Sequence, residues 1–160
     1  MKKISIVMGS ESDLETVSEA VNILKKFKVS FEARVLSAHR APDNLRNYVE
    51  EADKKGVKIF IAAAGGAAAL AGVIASHTNL PVIGIPIETK ALKGLDSLLS
   101  TVQMPAGVPV ATMAIGKSGA RNAAIFALEI LAISDKKLTA ALVRHRKEMR
   151  LKVTKAKIKL

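Results

Sequence analysis

The side chains best suited to chemistry lie in the segment Ser37-Ala38-His39-Arg40-Ala41-Pro42-Asp43. A histidine can transfer a proton near neutral pH. The neighbouring Arg40 is permanently cationic, and its planar guanidinium can bind a phosphate or a carboxylate through two parallel N–H groups. A loop histidine can also serve only as a structural hydrogen-bond partner, and the residue types alone leave both interpretations open.

A second segment, Gly9-Ser10-Glu11-Ser12-Asp13, follows an apolar run and precedes a helical pattern. Glycine allows the backbone to approach a ligand closely, and the amides at a helix N-terminus favour an anion. The Ser10 and Ser12 hydroxyls add hydrogen-bonding groups, so the segment favours a phosphate or a ribose. Simple capping of the helix by Ser12 or Asp13 is the alternative. The pattern is neither a GxGxxG fingerprint nor a Walker P-loop.

A third segment, Ala64 to Gly72, offers backbone amides and open space instead of reactive side chains. Such a turn suits close approach of a flat ring or of a carboxylate in transfer, and it equally suits tight helix–strand packing. The polar stretch from Asp96 to Pro105 is predicted to be structured, with no function assigned from its residue types. His77 and His145 are interpreted as surface or capping residues.

The elements that must position these segments alternate between strand and helix along the chain. Short apolar runs predict strands over 4–8, 29–36, 57–63, 81–86 and 108–115. Between and after them, helical patterns start near Ser12 or Asp13, run from Pro42 to Lys54, end near His77, and cover 95–101, 120–133 and 136–155. This alternation predicts a mainly parallel sheet with helices on both faces, which binds ligands outside the carboxyl ends of its strands. The loops expected there are 9–13, 37–43, 64–72, 88–94 and 116–122.

Composition excludes several classes of site. The chain of 160 residues is expected to form one domain, and its lack of cysteine excludes disulfides, Cys-ligated zinc and a thiol nucleophile. Three scattered histidines without metal-ligand spacing do not indicate a metal site. The N-terminus does not resemble a signal peptide and no apolar run reaches membrane-spanning length, so a cytoplasmic location is expected.

The positive charge is concentrated at the C-terminus. Residues 136–160 hold ten Lys or Arg and one acidic residue, so the other 135 residues carry only about +2 of the total +11. An apolar stripe of Leu138, Leu142, Met149 and Val153 predicts a helix that docks on its own or a neighbouring subunit. Nucleic-acid binding by the basic tail is the alternative, although no aromatic residue interleaves the basic ones.

Four motifs in order, GSESD, SAHRAPD, AGGAA and DSLLSTVQMPAGVPVATMAIG, resemble the PurE family of aminoimidazole ribonucleotide mutases and carboxylases. The resemblance runs from about Ile4 to Leu131. It implies a flavodoxin-like three-layer α/β fold over residues 1–135 and a C-terminal helix over 136–160 that reaches a neighbouring subunit of an octamer. It also implies an enzyme of purine biosynthesis that uses no metal and no organic cofactor.

The resemblance also implies roles for individual residues. His39 matches the family's proton-transfer residue and Arg40 a ligand of the substrate phosphate. The remaining matched positions are expected to bind substrate: Ser10 and Asp13 the phosphate and ribose, Ser37 beside them, and Gly65, Gly66 and Ala67 the ring and its carboxylate. The implied reaction moves a carboxylate from N5 of N5-carboxyaminoimidazole ribonucleotide to C4, by decarboxylation and recarboxylation.

The chain departs from the family at Ala69 and Ala71, where class I members usually carry histidine and proline. Because class II members also lack that histidine, direct carboxylation of aminoimidazole ribonucleotide by carbon dioxide is an alternative to the mutase reaction. A family-like carboxylase with another heteroaromatic substrate, and a non-catalytic nucleotide- or nucleic-acid-binding protein, are further alternatives. The mutase hypothesis implies an ATP-dependent carboxylase that supplies the substrate.

Overall fold

The structure, a computed structural model, describes residues 2–156. The chain divides into two compact units, the first ending at Ala127 and the second beginning at Leu128. Lys157 and Lys159 of the basic tail lie outside the described residues. Among the described residues, no helix is both long enough and apolar enough to cross a membrane.

Five parallel strands form the sheet of the first unit, in the order β2-β1-β3-β4-β5. This order and the flanking helices make the flavodoxin-like fold that was predicted. The central strands are apolar runs buried along nearly their whole length, as expected for parallel strands covered on both faces. The strands are β1 Ile4–Met8, β2 Phe31–Val35, β3 Ile59–Ala64, β4 Val82–Pro86 and β5 Ala111–Thr112.

The two edge strands are shorter than the predictions 29–36 and 108–115. Strand β5 pairs with β4 through two residues, and Met113 N donates to Gly84 O at 2.9 Å just beyond them. Pro109 has no amide hydrogen to donate to a neighbouring strand, so the strand pairing with β4 does not extend back to the predicted start at residue 108. Strand β2 is half exposed because β1 is its single neighbour in the sheet.

Five α-helices and one 3₁₀ turn accompany these strands. Their bounds are η1 Glu11–Asp13, α1 Leu14–Lys26, α2 Pro42–Lys54, α3 Leu70–Ser76, α4 Leu95–Val102 and α5 Gly116–Ala132. Helix α2 has the predicted bounds, whereas α5 begins four residues before the predicted start. Gly119 permits the early start, because a Cβ there would overlap the carbonyl oxygen of Ala114, and glycine allows this close approach.

The apolar core of the first unit forms on both sides of the sheet. Helices α2 and α3 pack on one side, where Leu45, Val49 and Ile74 join a buried cluster with Phe60. Alternate strand residues such as Ile61 point to the opposite side. Helices α1 and α5 lie next to each other and are joined by ion pairs from Lys117 to Glu15 at 2.6 Å and from Arg121 to Glu19 at 2.8 Å.

The second unit contains the end of α5 and helix α6, Lys136–Thr154. Asp135 caps α6, because its Oδ1 accepts hydrogen bonds from the amides of Lys137 at 3.0 Å and Leu138 at 3.1 Å. The predicted apolar stripe is divided in its environment: Leu138 and Leu142 are buried, whereas Met149 and Val153 are 56% and 77% exposed.

Candidate active site

One cleft of about 640 Å³ opens at the carboxyl ends of the strands. Four of the five loops expected there contribute to it, namely those that follow β1, β2, β3 and β4. The carboxyl ends of neighbouring parallel strands meet at one edge of the sheet, so segments distant in sequence converge. The lining residues are Gly9, Ser10, Ser12, Asp13, Ser37, Ala38, His39, Arg40, Ala64, Gly65, Ala68, Ala69, Leu70, Ile87, Glu88 and Thr89.

The loop after β1 holds its shape through hydrogen bonds among its own residues. Asp13 is the N-cap residue of α1, one of the two predicted caps, although its side chain makes no cap hydrogen bond to that helix. Ser10 caps the preceding 3₁₀ turn, and its Oγ accepts from the Ser12 amide at 3.3 Å. The Asp13 carboxylate instead accepts from the Ser10 amide at 3.1 Å. This reciprocal pair closes the turn before α1 and points the polar groups of Ser10 and Asp13 at the cleft they both line.

Asp13 is a buried carboxylate, with 7% of its surface exposed. Burial raises the pKa of this carboxyl above its ordinary value, and the hydrogen bonds from Ser10 and Ser12 and the charge of Arg40 oppose that rise. A buried carboxylate beside a cationic side chain can accept hydrogen bonds from the hydroxyls of a sugar. The geometry therefore suits the ribose role implied for Asp13.

The turn from Ser37 to Arg40 joins the second loop to the first. The Ser37 hydroxyl oxygen accepts from the Arg40 amide at 3.2 Å and from Arg40 Nε at 3.3 Å. Arg40 Nη2 donates to the Gly9 carbonyl at 2.8 Å. These bonds orient the guanidinium across the end of β1 while Arg40 stays exposed, and its five N–H groups are enough to bind an anion as well.

His39 lies at the apex of this turn, exposed and lining the cleft. Its imidazole makes no hydrogen bond to any described residue, so both ring nitrogens are accessible to a bound molecule. Arg40 follows it in the chain and Asp13 lines the same cleft. The structure thus brings together the residues for which the sequence motifs imply proton transfer, phosphate binding and ribose binding. Ser10 and Arg40 meet in this cleft although they lie some thirty residues apart in the chain.

The glycine-rich loop after β3 contributes less of its length than expected. Gly65 lines the cleft and approaches the β4 loop so closely that a Cβ on it would lie 3.5 Å from Ile87 Cβ. Gly66 and Ala67 are not among the residues that line the cleft. Gly66 adopts a positive φ of 66°, and its amide donates to Ser97 Oγ at 2.9 Å, away from the candidate ligand space.

The fifth expected loop, residues 116–122, contributes no lining residue to this cleft. The segment forms the first two turns of α5, and its side chains serve helix packing and ion pairing instead. Gly119, in the first turn of that helix, lies against the Ala114 backbone. The sequence interpretation of this segment as a ligand loop was therefore wrong for this cleft.

The individually predicted site residues do not include Ile87, Glu88 and Thr89, although Glu88 and Thr89 lie in the expected loop 88–94. Glu88 brings a second carboxylate to the cleft in addition to Asp13. The signal that could have found them is their position directly after a buried strand next to β3. Among the side chains that the structure describes, no group of three or more His, Cys, Asp or Glu has the arrangement of a metal site.

Comparison with known proteins places this geometry in a family. The family model described as AIR carboxylase matches residues 3–152. A protein of Saccharolobus solfataricus named N5-carboxyaminoimidazole ribonucleotide mutase is 55% identical over 94% of each chain. Proteins with the same name from Pyrococcus abyssi (94% of this chain, 85% of that one) and Bacillus subtilis (89% and 88%) are 51% and 52% identical.

A solved structure agrees at the level of the fold. The crystal structure of Treponema denticola PurE superposes with a TM-score of 0.86 at 24% identity, covering 94% of this chain and 93% of that one. The family model spans nearly the whole chain, and the relatives that share half of its residues do so over almost their full length. This chain belongs to the AIR carboxylase family.

Proposed function

We propose that this protein is an N5-carboxyaminoimidazole ribonucleotide mutase of purine biosynthesis, an isomerase. The observation that carries the proposal is the convergence of His39, Arg40, Ser10 and Asp13 on one cleft in a chain whose relatives, at about half identity, bear that name. Arg40 and Ser10 bind the substrate phosphate, with Ser37 holding Arg40 in place. Asp13 binds the ribose hydroxyls.

The imidazole ring extends from the ribose towards the loop after β3. Gly65 lines the cleft there without a side chain, and Ala68 and Ala69 present methyl groups and backbone. Gly66 and Ala67, also implied by the resemblance, lie in the same loop outside the cleft lining, and Gly66 holds the loop through its hydrogen bond to Ser97. A flat ring carrying a carboxylate fits this surface, because small side chains leave room for the ring and backbone amides can donate hydrogen bonds to the carboxylate.

His39 carries the proton in the proposed reaction. Cleavage of the N5–carboxylate bond releases carbon dioxide, and protonated His39 donates a proton to N5. C4 then attacks the retained carbon dioxide, a C–C bond forms, and C4 returns its proton to neutral His39. The histidine ends in its starting state, so no external acid, base or oxidant is consumed.

Ala69 bears on the rival reaction, direct carboxylation of aminoimidazole ribonucleotide by carbon dioxide. Its methyl group stands in the cleft where class I members of the resembled family usually place a second histidine. The names of the relatives favour the mutase. A mutase depends on an ATP-dependent carboxylase to make its substrate, whereas a direct carboxylase, a lyase, does not.

A paired assay tests the function. Wild type, His39→Asn and a matched control, His77→Asn, each receive N5-carboxyaminoimidazole ribonucleotide or aminoimidazole ribonucleotide with bicarbonate, and absorbance of the C4-carboxylated product is followed. His77 is exposed at the end of α3 and outside the cleft. The proposal expects turnover of the first substrate, a loss of at least a hundredfold in His39→Asn, and no loss in His77→Asn.

Each other result has a definite meaning. Turnover mainly of the second substrate would assign direct carboxylation. If the folded wild type turns over neither substrate, the enzyme hypothesis is refuted. That result would favour nucleotide or nucleic-acid binding by the basic tail, and such binding would weaken steeply with salt.

We also infer that the protein acts in the cytoplasm as a homo-oligomer, the octamer that the resemblance implies. The supporting observation is the outer half of the α6 stripe, where Met149 and Val153 are exposed on a helix whose first half has Leu138 and Leu142 buried. A second copy that covers this half would remove apolar surface from water. The molar mass in solution, measured by light scattering, tests the inference.

A further inference from the structure

We propose that Ser97 of α4 is a positioning residue of the reaction, because its hydroxyl holds Gly66, in the loop after β3, against Ile87, in the loop after β4. The proposal rests on the proposed function, which places the reacting ring against the loop after β3, and the loop after β4 lines the same cleft. Ser97 lies outside the cleft lining and is fully buried.

The Ser97 hydroxyl joins the two loops directly. Its Oγ accepts from the Gly66 amide at 2.9 Å and donates to the Ile87 carbonyl at 2.7 Å. A serine hydroxyl has one hydrogen to donate, and here it is committed to Ile87 while a lone pair receives Gly66. One buried atom therefore spans from the loop of β3 to the loop of β4.

Neighbouring residues of α4 hold the same two loops. Ser100 Oγ donates to the Gly66 carbonyl at 3.4 Å, so Gly66 is bound at both of its backbone polar groups. Asp96 accepts from Thr89 Oγ1 at 2.9 Å. Glu88 thus lies between two residues bonded to α4, Ile87 and Thr89, and Ile87 is also bonded to the end of β3, where its amide donates to the Ala64 carbonyl at 2.9 Å.

The two ends of the cleft are held by different bonds. The phosphate end depends on Ser10, Ser37 and Arg40, which are bonded to one another and to Gly9. None of those bonds involves α4. Loss of the Ser97 hydroxyl should therefore displace the ring end and leave the phosphate end in place. Because a displacement of about 1 Å can cost up to about 100-fold in rate, the effect should appear in kcat more than in KM.

The test compares Ser97→Ala with Thr101→Val. Thr101 is also buried on α4, but its hydroxyl donates to the Ser97 carbonyl at 2.7 Å, within the helix. Valine keeps the methyl group that packs near Gly84. Both variants lose one buried hydroxyl from the same helix, but of the two hydroxyls the Ser97 hydroxyl is the one bonded to the cleft loops. At a temperature where both are folded, Ser97→Ala should lower kcat at least tenfold with KM within threefold of wild type, whereas Thr101→Val should change neither by more than threefold.

A second readout does not depend on activity. Hydrogen exchange of the Gly66 amide should accelerate at least tenfold in Ser97→Ala and stay unchanged in Thr101→Val. Equal kinetic losses in the two variants, a change in KM alone, or unchanged Gly66 exchange would overturn the proposal. If Ser97→Ala does not fold, Ser97→Cys keeps a side chain of similar size with a weaker hydrogen-bonding group and is judged in the same way.

Failure of the proposed function gives a different pattern. Wild type would then be inactive towards the N5-carboxylated substrate while the exchange result at Gly66 still decided whether Ser97 holds the loop. If the protein instead turns over aminoimidazole ribonucleotide and bicarbonate, the same split between kcat and KM is measured with that substrate.

Discussion

Replacing Tyr48 with phenylalanine removes a hydroxyl that ties helix α2 to strands β1 and β2. The hydroxyl oxygen lies 2.6 Å from Ser5 Oγ and donates to Glu32 Oε1 at 2.9 Å. Helix α2 begins at Pro42, immediately after the turn that carries His39 and Arg40, so this tie also supports the cleft. The ring itself lies under the Arg34 guanidinium, 4.9 Å from it, and phenylalanine keeps that contact.

The expected loss of stability follows from what each partner retains. Ser5 is fully buried, so in the variant its hydroxyl is left without Tyr48, and a buried unsatisfied group costs about 1–3 kcal/mol. Glu32 loses less, because its side chain is 26% exposed and still pairs with Arg34 at 3.3 Å. We expect the free energy of unfolding to fall by about 2 kcal/mol.

Urea unfolding followed by circular dichroism measures this change, and Ser5→Ala completes a double-mutant cycle. Removing both hydroxyls leaves neither partner unsatisfied, so the double variant should lose about 1 kcal/mol less than the sum of the single variants. A Tyr48→Phe variant as stable as wild type, or strictly additive losses, would refute the view that the Ser5–Tyr48 bond holds α2.

The same variant tests the ionisation of Tyr48. Burial is the main cause that raises the pKa of Tyr48 from 10.0 to about 12. Between these values the unfolded chain has lost the phenolic proton and the folded chain keeps it, so stability falls as the pH rises from 10 towards 12. Tyr48→Phe should lack this part of the alkaline loss, and a wild-type slope in the variant would contradict the assignment.

Two further predictions concern the cleft and the C-terminal helix. Because burial raises the pKa of Asp13, wild type should lose stability relative to Asp13→Asn as the pH rises through that pKa, and unfolding at a series of pH values measures this loss. In Asp13→Asn the KM should be at least tenfold higher than in wild type, because the variant loses the carboxylate proposed to bind the ribose. A double variant, Met149→Asp with Val153→Asp, should have a lower molar mass in solution than wild type. The control Lys147→Asp changes an exposed residue of the same helix outside the stripe and should keep the wild-type mass. Equal masses for the two variants would contradict assembly through the stripe.

Local sequence determined the elements and most of the candidate site. Strand β1 and helix α2 have the predicted bounds because their signals are local: an apolar run ended by Gly9, and Pro42 with Asp43 at a first helical turn. The parallel order of alternating strands and helices then predicted which loops meet. From sequence alone, that rule predicted that the loops of Ser10, Asp13, His39 and Arg40 meet at one edge of the sheet.

Tertiary structure alone decided which residues hold those loops. Strand β5 is short because pairing depends on a neighbour as well as on β-forming residues, and Pro109 interrupts it. In the sequence, nothing distinguishes Ser97 from the other polar residues of its short helix. In the structure it is buried and bonded to Gly66, thirty-one residues away in the chain, and to Ile87, ten residues away. A hydrogen bond between distant segments leaves no periodic pattern in the chain, because it depends on where folding brings the two backbones.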